Sequence, residues 1–181
     1  MVERNTKEIK MRIGITERGD AGLDFTWTTK LQDLNIIISK NLNDKLIDYL
    51  IEFKDKVIFH HTVTGWGSKQ LEPNVPTLEF SRIQLQKLIE NGFNIQQVVL
   101  RLDPIIPTID GLQHAKKVLE LYKDSEIQRV RFSFLDMYPH VKQRFIDNGI
   151  QLPYNSFHAP DALIEDGIRL IEQYEDVYSF E

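Results

Sequence analysis

The stretch Val98-Val99-Leu100-Arg101-Leu102-Asp103-Pro104-Ile105-Ile106 decides the fold. Its first half is apolar and β-branched, which suits a strand buried on both faces. Arg101 and Asp103 break the run two residues apart, so in extended backbone both point to the same side. Pro104 has no N–H to give to a ladder and is expected to stop the strand just after the carboxylate. A helical pattern follows from Asp110 to about Lys123, carried by Leu112, Ala115, Val118, Leu119 and Tyr122. A strand that brings charges to its carboxyl end and leads into a helix has the form in which α/β proteins place their chemistry.

The same unit recurs on both sides of this stretch. Upstream, Lys10–Thr16 reads as a first strand running into the charged, glycine-punctuated loop Glu17–Gly22. Leu23–Thr29 fits either an extended segment or a helical turn. Leu34–Ser39 reads as a buried strand, Asn43 as the cap of a helix over Asp44–Phe53, and Lys56–Thr64 as a third strand. Gly65-Trp66-Gly67 opens a long polar loop that ends at Thr77, the cap of a helix over Leu78–Asn91. Downstream come a strand over Arg129–Leu135, a helix ending at Gly149, a helix over Asp161–Tyr174 and the start of a strand at Val177–Phe180. Regular alternation implies parallel strands joined by right-handed crossovers. The expected class is α/β, a partial or complete (β/α) barrel that is TIM-barrel-like, with an open doubly wound sheet as the alternative. Residues 1–9 read as a polar leader and 10–181 as a single barrel-type domain, one whose C-terminal end reads as open to truncation.

Composition narrows the function classes. The chain of 181 residues has a formal net charge of −5, which argues against a surface devoted to nucleic acid while allowing a local basic groove. It contains no cysteine, so disulfides, thiolate nucleophiles, Cys-held zinc and thiolate-held iron–sulfur clusters have no ligands in it. The longest apolar runs are too short to span a bilayer, and the N-terminus lacks the apolar core of a secretory signal. A cytoplasmic location with no membrane partner is the expectation. Gly14 and Gly19 are not followed by the Lys-Ser/Thr of a P-loop.

The polar residues at the expected carboxyl ends of the strands are Glu17, Arg18 and Asp20; Lys40 and Asn41; His60, His61, Thr62 and Thr64; Arg101 and Asp103; and Ser133, Asp136 and Tyr138. In a barrel they converge on one rim. Each has an ordinary structural alternative: an Asp there serves as a helix cap, and Arg101 with Asp103 forms a strand-to-strand ion pair. Adjacent His60 and His61 point to opposite faces, so one of them alone can face the rim. Trp66, between glycines, is placed for closure over a ligand.

The order of these motifs resembles a bacterial family of unassigned function, grouped with radical-SAM-like proteins and distantly similar to spore photoproduct lyase. The resemblance rests on Thr62–Gly65, Glu72–Pro76, Arg101–Ile105 and Ser133–Tyr138, with Arg18-Gly19-Asp20 and Ser39-Lys40-Asn41 matching earlier elements. It implies S-adenosylmethionine and a [4Fe–4S] cluster at the strand ends of a (β/α) barrel. Family members of this type carry their cluster cysteines late in the chain. The sequence then reads either as the front portion of a longer or split protein, completed by a cysteine-containing segment or second chain, or as a member without the cluster.

On this reading Asp103 and Asp136 are the candidate catalytic residues. Arg18, Asp20, Lys40, Thr62, Thr64, Arg101, Ser133 and Tyr138 are the candidate cofactor-binding set. Arg101 would hold a carboxylate or phosphate, the two aspartates would take ribose hydroxyls or an amine, and the substrate would be a small molecule, a nucleotide or a nucleic-acid base. Two alternatives stand beside it. One is a hydrolase or lyase with a divalent metal on His60 or His61 and Asp103, Asp136 or Glu17. The other is a non-catalytic module that binds a protein or a nucleotide.

Overall fold

Six short runs rich in β-branched residues form strands, and all pair in parallel in the order in which they occur in the chain. The structure, a computed structural model, describes residues 11–17 and 19–181. The expected leader and Arg18 lie outside the described residues. The strands are β1 (Ile13–Ile15), β2 (Leu34–Ser39), β3 (Val57–Thr62), β4 (Val98–Ile105), β5 (Arg129–Phe134) and β6 (Ser179–Phe180). The helices are α1 (Asp44–Glu52), α2 (Leu78–Glu90), α3 (Ile109–Tyr122), α4 (Pro139–Asp147) and α5 (Asp161–Glu172). A doubly wound sheet reverses its strand order at a switch point. This sheet never reverses, and its first and last strands do not pair, so it is a partial (β/α) barrel.

Helices α1, α2, α3 and α5 line the convex face, each touching the next. Their apolar stripes pack on alternate strand residues: Leu46, Leu50, Leu85, Leu88, Val118 and Leu119 meet Phe59, Leu100, Leu102 and Val130, all buried. Burial of each such side chain contributes roughly 1.5–3 kcal/mol relative to exposure, which is why this face holds the sheet. Two helix starts are built as their sequences demand. Asn43 Oδ1 accepts from Leu46 N at 3.0 Å, and Thr77 Oγ1 accepts from Phe80 N at 3.2 Å. Leu23–Thr29 resolves into a 3-10 turn over Thr26–Thr29, tucking Trp27 between Tyr49 and Phe53.

One expectation fails. Strand β4 does not stop at Asp103 but continues through Pro104 to Ile105. Its partners move from Leu102↔Phe132 to Ile105↔Phe134, so three steps on β4 match two on β5. This bulge absorbs the residue that cannot donate to the ladder, and pairing resumes beyond it.

A second, smaller core caps the carboxyl ends of β4 and β5. Ile106, Leu135, Met137, Phe145, Tyr154 and Ala159 are buried there, under α4 and the loop that follows it. Tyr154 Oη donates to the Leu135 carbonyl, closing that loop over the strand end. This cluster forms one wall of the rim.

Candidate functional site

Alternation divides the central strands into two sets of side chains. Phe59 and His61 on β3, Leu100 and Leu102 on β4, and Val130 on β5 face the helices. His60 and Thr62, Val99, Arg101 and Asp103, and Arg129, Arg131 and Ser133 face the concave side. His61 Nε2 lies 2.9 Å from Tyr122 Oη, under α3. His60 is on the other face with the arginines, so the two rings do point opposite ways. Both imidazoles have their pKa lowered to about 4. Burial is the main cause for each, reinforced at His60 by Arg101, Arg131 and Arg129 and at His61 by Arg82.

At the carboxyl ends of β1–β4 the concave face opens into a cleft of about 300 Å³, lined by Glu17, Asp20, Ser39, Lys40, Thr62, Arg101 and Asp103 among others. Asp20 reaches across from the β1 loop. Its Oδ1 accepts from Ser39 Oγ at 2.5 Å and Gly22 N at 2.8 Å, and its Oδ2 accepts from Lys40 N at 2.7 Å. Lys40 Nζ is paired with Glu72 from the β3–α2 loop, and Thr64 Oγ1 donates to the other oxygen of Glu72. Arg101 is paired with Asp103, whose second oxygen accepts from Ser133 Oγ at 2.5 Å. The geometry therefore brings together Asp20, Lys40, Thr62, Thr64, Arg101, Asp103 and Ser133.

Asp136 and Tyr138 are not part of this group. Asp136 is engaged by His158 Nδ1 at 2.8 Å. Tyr138 is half-exposed, stacked on His140 and edge-on to Phe157. Neither lines the cleft that holds Asp103. Glu72 is the residue that strand-end reasoning missed, because it arrives from mid-loop; its signal is the Glu-Pro of an otherwise over-long connection. Arg129 and Arg131 were missed as well, although their spacing with Ser133 places all three on one face.

The reading of Trp66 as a closing flap is corrected. Its ring stacks on His114 of α3 with centroids 4.1 Å apart, and Lys69 lies over it and contacts the same histidine. Gly65 adopts φ +78 against the His114 backbone, and a Cβ on Gly67 would sit 1.7 Å from the Pro76 carbonyl oxygen. These glycines permit close packing rather than motion. Trp66 instead walls a neighbouring cleft of about 190 Å³, which shares Lys40 with the first and has Thr64 and Glu72 in its lining.

Three buried polar atoms on the concave face have no partner: His60 Nδ1, Thr62 Oγ1 and Arg101 Nε. Each would cost on the order of 1–3 kcal/mol if left unsatisfied. Among the described residues, no group of three or more His, Cys, Asp or Glu side chains is arranged to hold a metal ion. Chemically, the cleft sets two cations, Lys40 and Arg101, among three carboxylates, Glu17, Asp20 and Asp103. Such an array suits a ligand that carries both signs of charge.

Residues 25–175 match the family described as Domain of unknown function (DUF1848). The chain belongs to this family. The DUF1848 match takes in Lys40, Glu72, Arg101, Asp103 and Ser133, and leaves β1, Asp20 and β6 outside it. No curated protein matches the chain, and no solved structure matches it. No helix among the described residues is long and apolar enough to cross a membrane.

Proposed function

We propose that this DUF1848 chain is a radical-SAM-like partial barrel whose rim binds S-adenosylmethionine. The observation that carries the reading is the mixed-sign cleft at the carboxyl ends of β1–β4, where Lys40 and Arg101 stand among Glu17, Asp20 and Asp103. A ligand with an α-carboxylate, an α-ammonium and a sulfonium needs that combination. Arg101 takes the carboxylate through its terminal guanidinium nitrogens, and Asp103 takes the ammonium or a ribose hydroxyl. Ser133 keeps Asp103 turned toward the cleft, and Asp20 holds the β1 loop against Ser39 and Lys40 so that the cleft keeps its shape.

When bound, S-adenosylmethionine supplies a sulfonium whose reductive cleavage gives an adenosyl radical. The [4Fe–4S] cluster that performs such reduction in radical-SAM chemistry has no thiolate ligand among these residues.

Calorimetric titration with S-adenosylmethionine tests the reading. Saturable binding that weakens tenfold or more in Arg101→Gln and in Asp103→Asn supports it. Absence of binding at millimolar ligand, or equal binding by both variants, overturns it.

A further inference from the structure

Beside the rim cleft, the concave face carries a second arrangement that shares Thr62 and Arg101 with it and adds His60 and Arg131. The inner surface of a closed barrel is filled by apolar side chains. Here Arg101 and Arg131 are register partners on neighbouring strands, and His60 and Thr62 lie on the next strand over, paired with Val99 and Arg101. Neighbouring strands are about 4.8 Å apart, so the two arginine stems run side by side. Like charges directly opposite one another are destabilising unless a counter-charge serves both. Asp103, the carboxylate paired with Arg101, is already engaged by Ser133 as well. Arg131 is exposed and makes no side-chain hydrogen bond or ion pair among the described residues.

Two deeply buried side chains share that face, Thr62 at 4 % and His60 at 6 % exposure, and both present a polar atom without a partner. Arg101 Nε is the third such atom. His60 feels the fields of Arg101, Arg131 and Arg129, which places the imidazole among the guanidinium groups. It is neutral near pH 7, so it has one N–H to offer, and an anion selects the tautomer that offers it from Nδ1.

We infer that the concave face of β3–β5 binds a phosphate group, held by Thr62 Oγ1, His60 Nδ1, Arg101 Nε and the Arg131 guanidinium. A carboxylate is satisfied by one bidentate guanidinium, whereas these donors come from three neighbouring strands and include a hydroxyl. A tetrahedral dianion accepts from that many directions and neutralises two arginines together. The site goes beyond the reading of the rim, because His60 and Arg131 do not line the mixed-sign cleft. It gives the class of ligand taken beside the rim: a phosphate-bearing small molecule.

Titration calorimetry of the full chain in chloride buffer, with inorganic phosphate and with acetate as separate probes, tests this. Saturable phosphate binding at least tenfold tighter than acetate is expected, weakened tenfold or more by Arg131→Gln and by Thr62→Val. S-adenosylmethionine binding stays within twofold of the parent in Arg131→Gln, whose side chain does not line the rim cleft. Circular dichroism verifies folding, and if Arg131→Gln does not fold, Thr62→Val decides alone. Absence of saturable phosphate binding, equal affinity for acetate, or unchanged phosphate affinity in the folded variants overturns the inference. The S-adenosylmethionine titration reports separately on the rim.

Discussion

His61 offers a quantitative test of how the sheet is stabilised. It is completely buried between β3 and the helix layer, its Nε2 set against Tyr122 Oη, with Arg82 the charged group acting on it. Its pKa is held at about 4, against 6.5 for the free side chain. The unfolded chain therefore takes up the proton first as pH falls. Stability is fully present above about pH 6.5 and is lost progressively toward about pH 4.

Going from neutral pH to about pH 5, this single group removes about 2 kcal/mol of stability. Replacing it with Phe removes the titration and keeps most of the volume. The His61→Phe variant also leaves Tyr122 Oη without its partner, at a cost of roughly 1–3 kcal/mol that does not depend on pH in this range. The informative quantity is therefore the difference in unfolding free energy between the two pH values, obtained from urea titrations at each. That difference should shrink by about 2 kcal/mol in His61→Phe, while His60 continues to supply its own share. An unchanged difference would refute the placement of a neutral, desolvated imidazole between β3 and α3.

Two further substitutions test the loops and caps that position the site. Gly67→Ala forces a methyl against the Pro76 carbonyl, so the loop must shift; a loss of about 2–4 kcal/mol and a change in Trp66 fluorescence are expected, and native-like emission would count against the tight loop. Asn43→Ala deletes the cap on α1 together with the Nδ2 bond to the Gly22 carbonyl at 2.7 Å, and should cost about 1–2 kcal/mol in chemical denaturation.

The alternation of strand and helix was legible because both obey simple periods. The opening stretch became β4, and the caps at Asn43 and Thr77 stand where short polar residues precede apolar stripes. Pro104 misled because a missing donor was equated with a strand end. Local chemistry shows that a ladder bond is lost, not that a bulge will let pairing resume with Phe134.

The site was legible to the extent that strand ends define it. Lys40, Arg101, Asp103 and Ser133 come together because parallel strands align their carboxyl ends. Glu72 and the fixing of Trp66 by His114 depend on contacts between distant segments, and no period in the sequence encodes them. Asp136 sits at a strand end like the others, yet His158 draws it into the neighbouring loop.

The division of β3–β5 into a helix-facing and a concave set has a consequence for how this domain can change. Phe59, Leu100 and Val130 answer to packing, where a lost methylene is felt throughout the core. Thr62, Arg101 and Arg131 alternate with that core along the same strands, yet Arg131 is exposed and none of the three is part of the apolar cluster. On the proposed assignment of the concave face, mutational drift rewrites ligand preference one concave residue at a time while the scaffold is held constant by its other face. Divergence of specificity and preservation of fold are, in this sheet, inherited at separate addresses on a single backbone.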